Sequence, residues 1–197
     1  MGKAERTREY IIEKTAPVFN RKGYAGTSMS DLTECTGLTK GAIYGNFENK
    51  EEVALAAFDY NFDKMIAQVR RLQTPGQTAL GKLRAFIAVY RYSPADPFLS
   101  IGCPIANTGL EADDTQPALK QKVTGAINKW HRSISAIIHQ GIRAGEIRED
   151  VDVAEFASLM IAIIEGGITV SKISGDYSYL NRSLDHMEQL IEIKLRK

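Results

Sequence analysis

Residues 27–50, TSMSDLTECTGLTKGAIYGNFENK, constrain the fold more than any other stretch, because two helix starts and one helix stop crowd into them. Ser28 and Asp31 make a Ser-x-x-acid pair, in which each side chain can satisfy an amide at the start of a helix. Met29, Leu32 and Cys35 follow at three-residue spacing and give that helix a single inward face, where Cys35 is expected to do no more than pack. Gly37 stands where a helix can end in a left-handed residue, a conformation glycine adopts without steric cost. Leu38 can fill the angle that follows, and Thr39 is a good N-cap for a second helix starting at Lys40. Two short helices about a tight glycine turn are the arrangement that lays the second helix in a DNA major groove.

The side chains of that second helix suit the task. Gly41 and Ala42 are small enough for close approach to bases and phosphates, and Lys40 can reach a phosphate or a guanine edge. Tyr44 offers a rigid hydroxyl, and Lys50 stands at the start of the next helix, whose amides can hold another phosphate. Phe47 is expected to point inward and seat the recognition helix. The competing reading is a plain helical hairpin within a larger α-helical protein.

Taken together, Thr27, Asp31-Leu32, the run Gly37 to Tyr44, Phe47 and Asn49 to Val53 closely resemble the signature of the TetR family of bacterial transcriptional regulators. The preceding helix fits too, with Arg6, Ile11, Ile12, Ala16, Phe19, Gly23 and Tyr24 in matching places. The resemblance is specific over roughly the first quarter of the chain. It implies a homodimer that binds a palindromic operator as a repressor and lets go when a small molecule enters the C-terminal body. It also implies that Thr27, Ser28, Lys40, Gly41, Ala42, Tyr44, Asn46 and Lys50 occupy DNA-contact positions. Gly45 departs from the pattern, standing where many members carry a larger side chain, and a glycine inside the recognition helix would weaken it.

Composition agrees with a placed head rather than a general polycation. The net charge is +1, and basic residues only mildly outnumber acidic ones over residues 1–50. Binding would therefore depend on two positioned heads in a dimer. Two distant cysteines in no metal-ligand spacing fit a reducing cytoplasm. A charged N-terminus from Lys3 onward argues against a signal peptide. The longest apolar run, 156–170, is interrupted by Ser158, Glu165 and two glycines, and is read as too short to span a membrane.

The rest of the chain reads as helix after helix, giving an all-α protein with a three-helix head over residues 1–48 and a helical body over 49–197. A first helix is expected over 3–22, stopped at Gly23. A long one starts at Asn49 and runs to about Leu72, leaving the head for the body. Further helices are expected over 78–92, 104–110 and 117–143, then from a cap at Asp150 or Asp152 to about Ser174, and from Tyr177 to Arg196. Ser93 to Gly102, with two prolines, is expected to be irregular.

The last two helices bear on assembly. Residues 153–173 are apolar on most faces, including Phe156, Ile161 and Ile168, and a helix apolar all round implies a partner chain. Leu180, Leu184, Met187 and Ile191 add a single stripe, and Gly166-Gly167 would allow close helix approach. Two such helices per subunit would form a four-helix dimer interface. The alternative is packing within one subunit.

Phe62, Met65, Phe86, Tyr90, Ile105, Leu110, Trp130, Ile134, Ile138, Met160 and Ile164 are read as facing the interior, with Asn107 and Glu165 as polar groups among them. Such a set can line an adaptable cavity for a small apolar or aromatic inducer, or fill an ordinary core; the family resemblance favours the cavity. Cys103 before Pro104 is expected at a helix N-terminus, where a thiol can serve as an electrophile or oxidant sensor, with Lys172 a candidate amine to trap its oxidised form. The run IGCPIANTGLEA also resembles a Gly-Cys segment of one TetR subgroup whose members include electrophile responders. The simpler reading of Cys103 is a small buried hydrophobe.

No phosphate loop, nucleophile elbow or paired-histidine zinc motif is present, so no enzyme, cofactor or metal is expected. His131 and His139 share a helix side without a third ligand. A structural adaptor that binds no DNA is the remaining alternative, and it would not need Thr39, Lys40, Tyr44 and Lys50 arrayed at a capped helix start.

Overall fold

The computed structural model describes residues 2–91 and 101–197, with the backbone alone for 113–115. Among the described residues nine α-helices follow one another: α1 (Lys3–Gly26), α2 (Met29–Thr36), α3 (Lys40–Tyr44), α4 (Lys50–Leu72), α5 (Ala79–Tyr90), α6 (Pro104–Thr115), α7 (Pro117–Arg143), α8 (Val153–Ser174) and α9 (Ser178–Leu190). A π-helical turn, Ile191–Leu195, closes the chain. Among the described residues there is no strand, only an isolated bridge between Ile147 and Arg196. The irregular segment expected over 93–102 lies mostly outside the described residues.

The chain forms two compact units, Met1–Met65 with Ile101–Ala126 and Ile66–Ser100 with Ile127–Lys197. The first unit takes in the start of α4, all of α6 and the start of α7 together with the N-terminal helices.

In the first unit, Ile11, Ala16, Phe19, Leu32, Ile43, Phe47, Val53 and Phe58 make the core. α1 reaches four residues past its expected stop, yet Gly23 does break it, with φ 73° and ψ 178°. The break frees the amides of Tyr24 and Ala25, and the Glu111 carboxylate of α6 accepts both at 2.6 Å. A β-carbon on Gly23 would lie 2.2 Å from a Glu111 oxygen, so the backbone and the carboxylate require a glycine here. Asn107, one turn before Glu111, donates to Asn20 Oδ1 at 3.0 Å, and Asn20 donates to Gly102 O at 3.2 Å. Leu110, expected inside, is 79% exposed. It lies off the arc of α6 that carries Pro104, Ile105 and Ala112, and that arc is the buried one.

In the second unit, α8 and α9 form the most extensive helix pair. Gly167 lets them close up, since an added β-carbon would meet Ser183 at 3.0 Å and Leu180 at 3.2 Å, whereas Gly166 faces open space. Asp152 is the cap that starts α8, accepting the Glu155 amide at 2.9 Å. Arg84 pairs with Glu192, and Arg91 pairs with Asp185 at 2.5 Å and Glu188 at 3.2 Å, tying α5 to the C-terminal helix. The last helix does not run unbroken to Arg196, because it widens into the π turn from Ile191. There the Arg148 backbone amide donates to Leu195 O at 2.9 Å.

Two expectations for this unit change. Phe156, Ile168, Leu180, Leu184, Met187 and Ile191 are at most 7% exposed in the single chain, and Ile161 is half-buried. Six of these seven side chains fill one subunit's own core, whereas Ile161 keeps part of its surface. From α8 to the C-terminus the exposed large apolar groups are Leu159, Val170, Ile173, Tyr177, Tyr179 and Ile193. Second, α8 is 22 residues long with a mean hydropathy of 1.7 in its most apolar window, long and apolar enough by those measures to cross a membrane. The apolar run read from sequence is shorter than the helix that contains it. Packing against α9 accounts for its buried face.

Candidate nucleic-acid interface

The head is built by caps. Ser28 Oγ accepts the Asp31 amide at 3.1 Å while the Ser28 amide donates to Asp31 Oδ2 at 2.8 Å, closing the reciprocal box expected there. Lys22 holds Asp31 from the side at 2.6 Å, and that pairing with the Ser28 bonds keeps the carboxyl far below the ordinary carboxylate range. α2 ends at Gly37 in the left-handed conformation, φ 68° and ψ 13°. Thr39 Oγ1 then accepts the Ala42 amide at 3.2 Å and starts α3.

α3 is short and presents its first turn outward. Lys40, Gly41 and Ala42 are exposed, Tyr44 is half-buried, and Ile43 and Phe47 anchor the helix on the core. The Lys40 ammonium lies 5.8 Å from the centre of the Tyr44 ring. Asn46 uses its amide to cap the Ala42 carbonyl at 2.9 Å, so it shapes the end of the helix in this conformation. Gly45 is the C-cap, with right-handed φ −73° and ψ −14°, and not an interior residue; the helix-weakening cost does not apply. A β-carbon there would approach Gly41 O to 3.3 Å.

Of the other contact candidates, Ser28 is exposed and Lys50 is half-buried, its ammonium 4.3 Å from the Tyr24 ring centre. Burial, then Glu51 and Tyr44, raise the Tyr24 phenol above its ordinary range, so it remains a neutral platform for that cation. Thr27 is placed differently. It is fully buried, and its hydroxyl donates to Gly23 O at 2.6 Å, so its side chain braces the α1–α2 joint and presents nothing to a nucleic acid.

Arg8 and Glu111 are structural supports that the sequence did not disclose. Arg8 donates to Asn46 O and, at 2.6 Å, to Glu52, while its guanidinium lies 4.0 Å over the Phe47 ring. Glu52 also accepts the Glu48 amide at 2.7 Å, and these two bonds hold its carboxyl below the usual range. One arginine thus ties α1 to the end of α3 and the start of α4.

The candidate ligand residues divide between the units. Phe62, Met65 and Cys103 are buried in the first, where the Cys103 sulfur lies 3.9 Å from the Met65 sulfur. Cys103 is the N-cap of α6 with Pro104 following, as expected, but at 1% exposure it is shielded from solvent-borne electrophiles. Lys172 belongs to the other unit, and burial lowers its ammonium from the ordinary lysine range. Phe86, Tyr90, Trp130, Ile134, Met160 and Ile164 are buried in the second unit, and Glu165 is half-buried. Trp130 packs on both Phe86 and Tyr90, with ring centres 6.4 and 6.3 Å away, and its buried Nε1–H has no hydrogen-bond acceptor among the described residues. Cys35, half-buried, only approaches Leu32 O within its own helix. His131 contacts Ala154 O at 3.2 Å, and among the described residues no three His, Cys, Asp or Glu side chains gather as a metal site would need.

Known proteins share this arrangement. The family model described as "Bacterial regulatory proteins, tetR family" matches residues 11–57, and "Tetracyclin repressor-like, C-terminal domain" matches residues 79–187. A TetR-family transcriptional regulator from Cytophaga hutchinsonii is 44% identical with a TM-score of 0.91, over 100% of this chain and 98% of that one. A TetR regulator from Chloroflexus aurantiacus is 38% identical with a TM-score of 0.92, over 100% and 99%. The transcriptional regulator TtgR of Pseudomonas putida is 27% identical over 165 residues, 83% of this chain and 79% of that protein.

Proposed function

The chain belongs to the TetR family of bacterial regulatory proteins, and from that premise we propose that it is a repressor, working in the cytoplasm as a homodimer on a palindromic operator. It is a helix-turn-helix DNA-binding regulator and not an enzyme. The observation that carries the DNA reading is the first turn of α3, capped by Thr39 and exposing Lys40, Gly41 and Ala42 beside Tyr44. Small residues there let the backbone approach base edges, and Lys40, Ser28 and Lys50 supply donors for phosphates. The exposed apolar groups of α8 and of the C-terminal segment, above all Ile173 at 82% and Ile193 at 67%, support a second copy as the partner.

Release by a small molecule in the second unit is the finer part of the reading. Its support is Trp130, because a buried N–H left without an acceptor costs about 1–3 kcal/mol and a ligand oxygen or nitrogen would relieve it. The inducer would then be an apolar or aromatic molecule whose hydrogen-bond acceptor meets the Trp130 Nε1–H.

Selection of bound sequences from a random DNA pool tests the proposal. A palindrome with half-sites about one helical turn apart is the expected product. Tyr44→Ala and Lys50→Ala should then weaken binding to that duplex; unchanged affinity and salt dependence in both would remove them from the interface.

A further inference from the structure

The first four turns of α1 sort their charge by face. Lys3, Arg6, Thr7, Tyr10 and Lys14 recur at three- and four-residue intervals and share one side of the helix. Glu5, Glu9 and Glu13 recur every four residues on another. All five residues of the first face except Thr7 are exposed. Lys3, Arg6, Thr7 and Tyr10 line an open groove whose far wall is Leu38, the residue immediately before the Thr39 cap of the recognition helix. Tyr10 fixes that wall, donating its hydroxyl to Thr36 O at 3.0 Å, and the Lys14 ammonium lies 5.6 Å from the centre of its ring.

Resting on the DNA-binding reading, we propose that this basic face of α1 is a second contact surface, holding the phosphates of operator DNA flanking the bases read by α3. Two features single out a nucleic-acid backbone as the occupant. The groove is lined by cations and hydroxyls without a carboxylate, and it reaches Leu38 in the turn, two residues before the recognition helix begins. Lysine and arginine in such a place add affinity without reading sequence. Arg8 is on a different side of the same helix and holds Asn46, Glu52 and Phe47, so it is not part of this face.

The experiment measures the affinity of full-length protein for the duplex recovered from the random pool, and for an unrelated duplex, across a series of salt concentrations. A Lys3→Gln/Arg6→Gln double variant should lower the magnitude of the slope of log K against log salt by about 4, close to one for each of the two phosphates lost by each subunit of the dimer. Both duplexes should be weakened by the same factor, leaving the selectivity ratio unchanged. Trimming base pairs from the duplex ends should weaken the unmodified protein and leave the double variant indifferent. Glu5→Gln/Glu9→Gln serves as the control on the other face and should not lower the slope. An unchanged slope in the double variant, with Lys40→Ala still lowering it, overturns this inference and spares the DNA-binding reading. A change in the selectivity ratio also overturns it, because the face would then be reading bases. If the unmodified protein shows no sequence-selective, salt-dependent binding, both readings fall together.

Discussion

The α2–α3 head and the α8–α9 pair are both helical hairpins of this chain, but they are specified in opposite ways. The head is short, exposed and fixed by polar caps, with Ser28, Asp31, Gly37 and Thr39 each making a bond or backbone turn within four residues of itself. The α8–α9 pair is long, apolar and fixed by fit, with Gly167 admitting Leu180 and Ser183. Caps act locally and leave outward side chains free for a ligand. Apolar fit consumes the side chains it uses, which is why Leu184 and Met187 make one subunit's core.

Leu184→Ala should have the largest effect, a loss of about 3 kcal/mol in denaturant unfolding, because it empties a fully buried site. That loss should not vary with protein concentration. Ile173→Asp, on the 82% exposed side, should instead leave subunit stability nearly unchanged and shift the protein toward monomer in sedimentation. If the two variants exchanged behaviours, the division between core and partner surface would be reversed.

Glu111→Ala should follow, at about 2 kcal/mol, since it removes two hydrogen bonds to a charged acceptor. The amides of Tyr24 and Ala25 should lose protection from hydrogen exchange, and operator affinity should fall through the loosened Tyr24–Lys50 contact. Full protection in the variant would show that water replaces the carboxylate and that the head holds its joint unaided.

Ser28→Ala should cost about 1 kcal/mol, the usual value of an N-cap. The smallest effect is the pH dependence of the same box. The Asp31 carboxyl is lowered in the folded state, so its contribution is present above its ordinary value of 3.8 and fades as pH falls below that toward the folded value. The Tm of Asp31→Asn should therefore lie below that of the unmodified protein at neutral pH and converge with it in strong acid. A constant gap at all pH values would mean that Asp31 acts by shape alone.

Where the physics was local, the sequence was legible. The caps of α2, α3 and α8, the left-handed Gly37 and the inward Phe47 all follow from residues within a few positions of one another. Gly45 was misread because its place at the end of α3 depends on how short that helix is, and Thr27 because its hydroxyl turns back to Gly23. The supports from Arg8 and Glu111 were hidden for a different reason. Glu111 meets its partners across 87 and 86 residues of sequence, and no spacing rule connects them.

From its sequence alone, then, this chain declares an all-helical fold, the position of its recognition helix and the family it resembles, because capping bonds and glycine turns are settled between neighbours. Tertiary structure alone decides which side of α8 is core and which is surface, that α6 packs with the head, and that the basic face of α1 borders the recognition helix. Those outcomes depend on where distant helices come to rest, since an apolar or charged side chain takes its role from whatever the fold places opposite it.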